Sequence, residues 1–126
     1  MINKTILVGR VGQQPEKRLV GESPVTTFSL ATSETYKDKS GEKQTDTEWH
    51  NVVLWRGLSE IASKYVKKGD LIYIEGKLKT RSWEKDGVKK YRTEVIADQM
   101  KMLGGQKQEK PQREEGDMNE NNDLPF

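Results

Sequence analysis

Apolar positions in this chain come in short alternating runs, interrupted once by a helical period. Thr5 to Val11 is an apolar run holding Ile6, Leu7, Val8 and Val11. It predicts a strand buried on both sides, with Gly9 at a kink or bulge. Thr26 to Thr32 alternates, with Phe28 and Leu30 against Thr27, Ser29 and Ala31. Lys37 to Asp46 has no apolar residue and carries Gly41, so it reads as a mobile loop. Glu48 to Trp55 and Leu71 to Trp83 read as the third and fourth strands. Lys85-Asp86-Gly87 reads as an Asp-Gly hairpin turn leading into a fifth strand over Lys90 to Met102. Between the third and fourth strands, Leu58, Ile61, Ala62, Tyr65 and Val66 follow i, i+3, i+4, i+7, i+8 and predict a helix. Gly69, after Lys67 and Lys68, is expected to cap it, and the two lysines suit its dipole.

Five strands with one helix between the third and fourth is the element order of a mainly β, five-stranded OB-fold barrel, here over residues 1–105. Past Gly104-Gly105 the chain turns to Gln, Glu, Lys, Asn and Asp, with Met118, Leu124 and Phe126 as its large apolar residues. Such a segment cannot offset its ordering entropy, so 106–126 is expected to be a disordered acidic tail.

Composition narrows the chemistry. The chain has 126 residues, one domain's worth, with 32% hydrophobic and 33% charged residues. It has no apolar run of about 18 residues to span a membrane. Met1-Ile2-Asn3-Lys4 carries no basic-then-apolar export signal, so nothing points to export and a cytoplasmic location is expected. There are no cysteines and one histidine, His50, which excludes disulfides, zinc ribbons, thiol nucleophiles and multi-histidine metal sites. By periodicity His50 is a satisfied core or interface residue. No carboxylates are spaced for metal or acid–base work. Gly9-Arg10-Val11-Gly12 lacks the Gly-Lys-Ser/Thr ending of a phosphate loop. No catalytic residue, metal or cofactor is expected. The net charge of +2 hides an asymmetry. Residues 1–105 carry 19 Lys and Arg against 14 Asp and Glu, a net +5, and residues 106–126 carry three against six, a net −3. A basic body with an acidic tail is a weak sign of a nucleic-acid partner.

Counting by twos sharpens that sign. On the fourth strand Ile72, Ile74, Gly76 and Leu78 share the expected core face, and Glu75, Lys77, Lys79, Arg81 and Trp83 share the other. On the third strand Val52 and Leu54 face inward with His50, so Trp49, Asn51, Val53 and Trp55 face outward, the two indoles about 20 Å apart. Outward tryptophans beside Arg56, Lys79 and Arg81 suit stacking on the open faces of unpaired bases, roughly 1–3 kcal/mol each and tolerant of sequence. The cations suit phosphates. Tyr36 is a candidate fourth platform, with Lys37, Lys39 and Lys43 in the loop beside it. Lys4 and Arg18 are further phosphate candidates. Tyr65 and Tyr73 are assigned to packing. At the chain's end, Asp123-Leu124-Pro125-Phe126 suits a hydrophobic pocket rimmed by Lys or Arg on a partner protein.

These residues also fall into stretches that match a family. They are Asn3-Lys4-Thr5-Ile6-Leu7-Val8-Gly9-Arg10-Val11-Gly12 with Pro15-Glu16; Leu30-Ala31-Thr32-Ser33-Glu34; Thr47-Glu48-Trp49-His50 with Val52-Val53-Leu54; Lys68-Gly69; Tyr73-Ile74-Glu75-Gly76; and Lys79-Thr80-Arg81-Ser82-Trp83. Together they are highly specific. Over nearly all of residues 1–105 and the tip, the chain resembles the bacterial single-stranded DNA-binding proteins (SSB) of the homotetrameric OB-fold type. The resemblance implies stacking at Tyr36, Trp49, Trp55 and Trp83, and phosphate contacts near Lys4, Arg18, Arg56, Lys68, Lys79 and Arg81. It implies a homotetramer with first strands paired between subunits and His50 near a subunit contact. It also implies that Asp123, Leu124, Pro125 and Phe126 recruit replication and repair proteins. Tyr36 stands where the family often has Trp, and Trp55 where Phe is common. Asn121-Asn122 precedes Asp123 where the family is richer in acid, and the linker is short.

The expected function is therefore sequence-tolerant, non-enzymatic binding and protection of single-stranded DNA in replication, recombination and repair. The rivals are a single-stranded RNA-binding OB module and an OB-fold replication-restart adaptor, the latter having less need of four aromatic platforms. A nuclease lacks an assembled motif.

Overall fold

The computed structural model describes residues 1–104; the expected tail and its tip lie outside the described residues. The elements follow as β1 (Thr5–Val11), β2 (Glu16–Val20), β3 (Ser23–Lys37), β4 (Lys43–Trp55), α1 (Arg56–Tyr65), β5 (Leu71–Lys85) and β6 (Val88–Gly104). The sheet runs β1-β5-β6-β4-β3, and β1 returns to β3 through Arg10↔Ala31 and Val11↔Leu30, so five strands close into a ring. The pairings are antiparallel except β4–β6, which meet in parallel through Asn51↔Glu94, Val52↔Val95 and Val53↔Ile96. This is the expected OB barrel with its one helix. The addition is β2, which pairs with β3 outside the ring. All five of its residues are exposed, so no apolar alternation marks it in the sequence.

The barrel closes on Leu30, Val52, Leu54, Ile72 and Ile74, all fully buried, with Val11, Phe28, Val95 and Ala97 around them. Each large side chain so buried contributes roughly 1.5–3 kcal/mol. α1 presents Ser59 and Ala62, followed by Val66, to this core. The buried stripe is thus rotated from the expected one. Ile61 is 45% and Tyr65 61% exposed, so Tyr65 is not a packing residue. A polar residue takes their place because it has a partner: Ser59 Oγ lies 2.7 Å from Thr26 Oγ1, which also donates to the Ser59 carbonyl at 3.0 Å. Gly69 does not cap the helix. The cap is Val66, whose N–H bonds the Ala62 carbonyl, while Gly69, at φ 91, donates to the Val11 carbonyl in the turn before β5.

β1 is buried on one face only. Leu7 packs on the core, whereas Ile6 and Val8 are exposed. Gly9 marks no bulge: it pairs in register with Ile72. A Cβ there would run into the Ala31 carbonyl, so glycine is needed for the close approach of β1 to β3. Register shifts instead across β5 and β6, between Leu71 and Ile72 and again where Glu75 faces Gln99, Gly76 faces Ala97, and Asp98 is the extra residue.

Two hairpin arms extend the ladder into solvent. Half of the stretch read as a mobile loop is strand, with pairing continuing from Ser33↔Thr47 to Lys37↔Lys43. Its turn is organised by Asp38, whose carboxylate accepts from the backbone N–H groups of Ser40 and Glu42, from Ser40 Oγ and from Gln44 Nε2. These bonds, that of Glu42 foremost, hold the Asp38 carboxyl below the usual range. Side-chain-to-backbone bonds of this kind make a turn without any apolar residue. The β5–β6 arm ends at Asp86 (φ 54) and Gly87 (φ 76), the expected hairpin turn. Leu78, expected in the core, lies on this arm and is exposed. The Asn3 side chain brackets it, donating to its carbonyl at 2.9 Å and accepting from its N–H at 3.0 Å.

Candidate nucleic-acid interface

Directly opposed residues in a ladder share a face, and the register assembles one face from five strands. Its first row is Arg18, Val25 and Trp55. Then come Thr27, Val53, Ile96 and Lys77; Ser29, Asn51, Glu94 and Lys79; the pair Arg81 and Arg92; and, on the arm, Trp83 with Lys90. At one end Val25, Val53 and Ile96 floor an apolar groove flanked by half-buried Trp55 and rimmed by Arg18, Lys77, Lys79 and Arg81. The groove then turns polar between Gln13, Ser29, Asn51, Arg92 and Glu94. An apolar floor with a cationic rim can take flat rings below and phosphates at the edge.

Two more indoles stand on this face. Trp49 is 58% exposed. The benzo end of its ring lies against Gly12, where a Cβ would come within 2.9 Å of Cη2 and 3.0 Å of Ser29 Oγ. Trp83 is 40% exposed, and the Arg81 guanidinium carbon sits 5.9 Å from its ring centroid, within cation–π reach. The structure therefore brings together Trp49, Trp55, Trp83, Arg18, Lys79 and Arg81.

The other candidates stand apart. Tyr36 is exposed on the β3–β4 arm, opposite Gln44 and on the pleat of Phe28 and Leu30 rather than that of Trp49. Lys4 Nζ lies 2.7 Å from Glu75 Oε2, and Tyr73 Oη donates to Glu75 Oε1 at 2.6 Å. Hydrogen bonding to Lys4 and then Tyr73 holds the Glu75 carboxyl below its usual range, and Glu75 in turn raises Lys4 and Tyr73. Lys68 lies in the turn after α1, its N–H 3.5 Å from Gln14 Oε1. His50 Nε2 is 2.9 Å from Thr32 Oγ1, a satisfied histidine as expected. Tyr91 is exposed on the β5–β6 arm, on the pleat of Leu78 and Val95 rather than that of Arg92 and Glu94, with Lys89 Nζ 5.9 Å from its ring centroid.

Arg92 and Glu94 escaped the sequence reading. Glu94 is 6% exposed. Arg81 clasps it with two bonds of 3.0 Å, from Nε to Oε1 and from Nη2 to Oε2. Arg92 Nε lies 3.8 Å from Oε2, and Arg92 Nη2 donates to Asn51 Oδ1 at 3.0 Å. Hydrogen bonding to Glu94, then its charge, raises Arg81 above its ordinary value. The signal was present in the Asp86-Gly87 turn. A two-residue turn fixes register, and counting outward from it sets Arg81 opposite Arg92 and Lys79 opposite Glu94.

Residues 2–103 match the Single-strand binding protein family. The chain belongs to that family. It is 48% identical over 107 residues to a single-stranded DNA-binding protein of Neisseria meningitidis serogroup A, covering 82% of this chain and 61% of the relative. It is 51% identical over 107 residues to single-stranded DNA-binding protein 1 of Chlorobaculum tepidum, covering 82% and 65%. The chain thus spans about three fifths of the length of these curated relatives. Among solved structures, it is similar to a Plasmodium falciparum SSB complex with ssDNA, with 34% identity and a TM-score of 0.75 over 82% of this chain and 96% of that one. It is also similar to a deletion mutant of the Thermus aquaticus single-stranded DNA-binding protein, with 31% identity and a TM-score of 0.72 over 82% and 51%.

In this single-strand binding family member the junction of β4 and α1 is strained. Trp55 is the N-cap in an extended conformation without a side-chain cap bond, and Arg56 follows at φ 52. The left-handed region costs an L-residue roughly 1–2 kcal/mol, and glycine's extra entropy returns about 0.5–1 kcal/mol of that. Arg56→Gly is therefore expected to raise stability by about 0.5–1 kcal/mol, read as a higher thermal midpoint. A lower midpoint would show that the Arg56 side chain contributes more than its backbone costs.

Proposed function

We propose that this chain binds single-stranded DNA without sequence preference, by stacking bases on Trp49, Trp55, Trp83 and Tyr36 and neutralising phosphates with Lys4, Arg18, Arg56, Lys68, Lys79 and Arg81. The observation that carries the reading is the single face on which three indoles, an apolar floor and the Arg18, Lys79 and Arg81 cations meet. A duplex buries its base faces, so this surface suits unpaired strands. The relatives are named for binding single-stranded DNA, and the Plasmodium falciparum SSB is in complex with ssDNA, which supports the same ligand here. Bound in this way, the protein coats and protects strands exposed in replication, recombination and repair, in the cytoplasm at the nucleoid, and acts by binding rather than catalysis. The exposed Ile6 and Val8 on β1 support assembly with further copies, a homotetramer in this reading. Asp123, Leu124, Pro125 and Phe126 recruit replication and repair proteins.

Titration with oligo-dT, followed by tryptophan fluorescence, tests this. Strong quenching by oligo-dT and none by duplex is expected, and oligo-dU against oligo-U, which differ only in the 2′-hydroxyl, separates DNA from RNA preference. If each of the six cations neutralises one phosphate of a single strand, log affinity falls with log salt at a slope of about −4 per chain, roughly 300-fold between 50 and 200 mM. Unquenched tryptophans, or affinity indifferent to salt, would overturn the reading.

A further inference from the structure

A buried acid in a surface meant for polyanions is an anomaly. Glu94 is 6% exposed at the centre of the groove face, where its charge opposes phosphate. It is held by two guanidinium groups from opposed positions, Arg81 on β5 and Arg92 on β6. We propose that Glu94 is a positioning residue of the single-strand site, a buried carboxylate that fixes Arg81 and Arg92 as an oriented pair for phosphate. This rests on the single-strand reading above and goes beyond it by adding Arg92 and Glu94 to the site.

The geometry supplies the argument. An arginine has five N–H donors in one plane. The fork to Glu94 takes two from Arg81, and three remain for another acceptor. Because the carboxylate oxygens are fixed in the sheet, the plane of the Arg81 guanidinium is fixed too, and its remaining donors keep one direction. Arg92 is set beside it by the same carboxylate and by Asn51 Oδ1. Half of each arginine side chain stays exposed, 50% for Arg81 and 48% for Arg92, against 7% for the carboxylate. The acid is covered and the cations face out. An unrestrained arginine loses rotamer freedom when it takes a phosphate, whereas this pair has lost it on folding.

The test turns on opposite signs. Glu94→Gln removes one negative charge from the face, so its net charge rises by one. If Glu94 only repels phosphate, oligo-dT binds tighter and the salt slope steepens. If Glu94 positions the arginines, binding weakens at least fivefold and the slope becomes shallower, in spite of the raised net charge. Glu84→Gln, the same charge change on the exposed arm, controls for charge alone and is expected to leave affinity equal or slightly higher. Thermal melting of the full chain checks that Glu94→Gln folds. Should it not fold, Arg81→Lys decides, because it keeps the charge and loses the fork. Positioning predicts that Arg81→Lys binds nearly as poorly as Arg81→Gln, and near-wild-type affinity for Arg81→Lys overturns the proposal. Absence of oligo-dT binding by the unaltered chain overturns the single-strand reading itself, and this inference with it.

Discussion

Replacing Trp49 and Trp83 together by alanine is expected to cut affinity for oligo-dT by about 30-fold to more than 10,000-fold, from two stacks of roughly 1–3 kcal/mol each. The fold should survive, because the rings are 58% and 40% exposed and neither belongs to the core cluster. Trp55 remains as the only tryptophan, so its fluorescence still reports on the groove while affinity is read by anisotropy of a labelled strand. The paired Phe variants keep a flat ring at each position and should recover most of the loss. Affinity within about threefold of the parent, with the far-UV spectrum unchanged, would mean that these indoles are idle.

Gly76→Ala should be the most damaging single methyl group. A Cβ there would collide with the Ile96 carbonyl and lie 2.8 Å from Ala97 Cα. Both obstacles are backbone, at the bulge where β5 and β6 shift register, and cannot rotate away. Overpacking costs typically 1–3 kcal/mol and occasionally more, and the upper part of that range is expected here. For a domain of this size about 3 kcal/mol corresponds to a fall in thermal midpoint of roughly 12–24 °C. Gly41→Ala is the matching control, since nothing lies within 4 Å of a Cβ there and it carries only the cost of its φ of 84. A midpoint for Gly76→Ala equal to that of the control would show that β6 yields freely at the bulge.

What the sequence makes legible follows its physics. Period-two alternation found the cores of β3, β4 and β5 and the outward faces of Trp49, Trp55 and Trp83, because one side of each strand is the barrel interior. It did not find β2, which buries nothing, nor the outer halves of the β3–β4 arm, which are held by backbone ladder and the Asp38 turn rather than by apolar burial. Helical period placed α1 correctly, but rotated its face, since it gives no credit to a serine satisfied by Thr26. Arg92 and Glu94 belong to a face that exists only through pairing, and a single strand read alone cannot show it.

The parallel junction of β4 and β6 has a kinetic consequence. It consists of three residue pairs that join positions about 40 residues apart, and closing such a span costs chain entropy before any contact is returned. The β3–β4 and β5–β6 hairpins are local and form on the microsecond scale, so ring closure is the slow, topology-limited step. The groove draws on both sides of that seam, with Asn51 and Val53 on one strand and Glu94 and Ile96 on the other. A bound strand therefore bridges one of the long-range contacts that close the ring and holds the closed state by mass action. A chain caught before closure already carries its tryptophans and arginines, but it has no groove in which to use them.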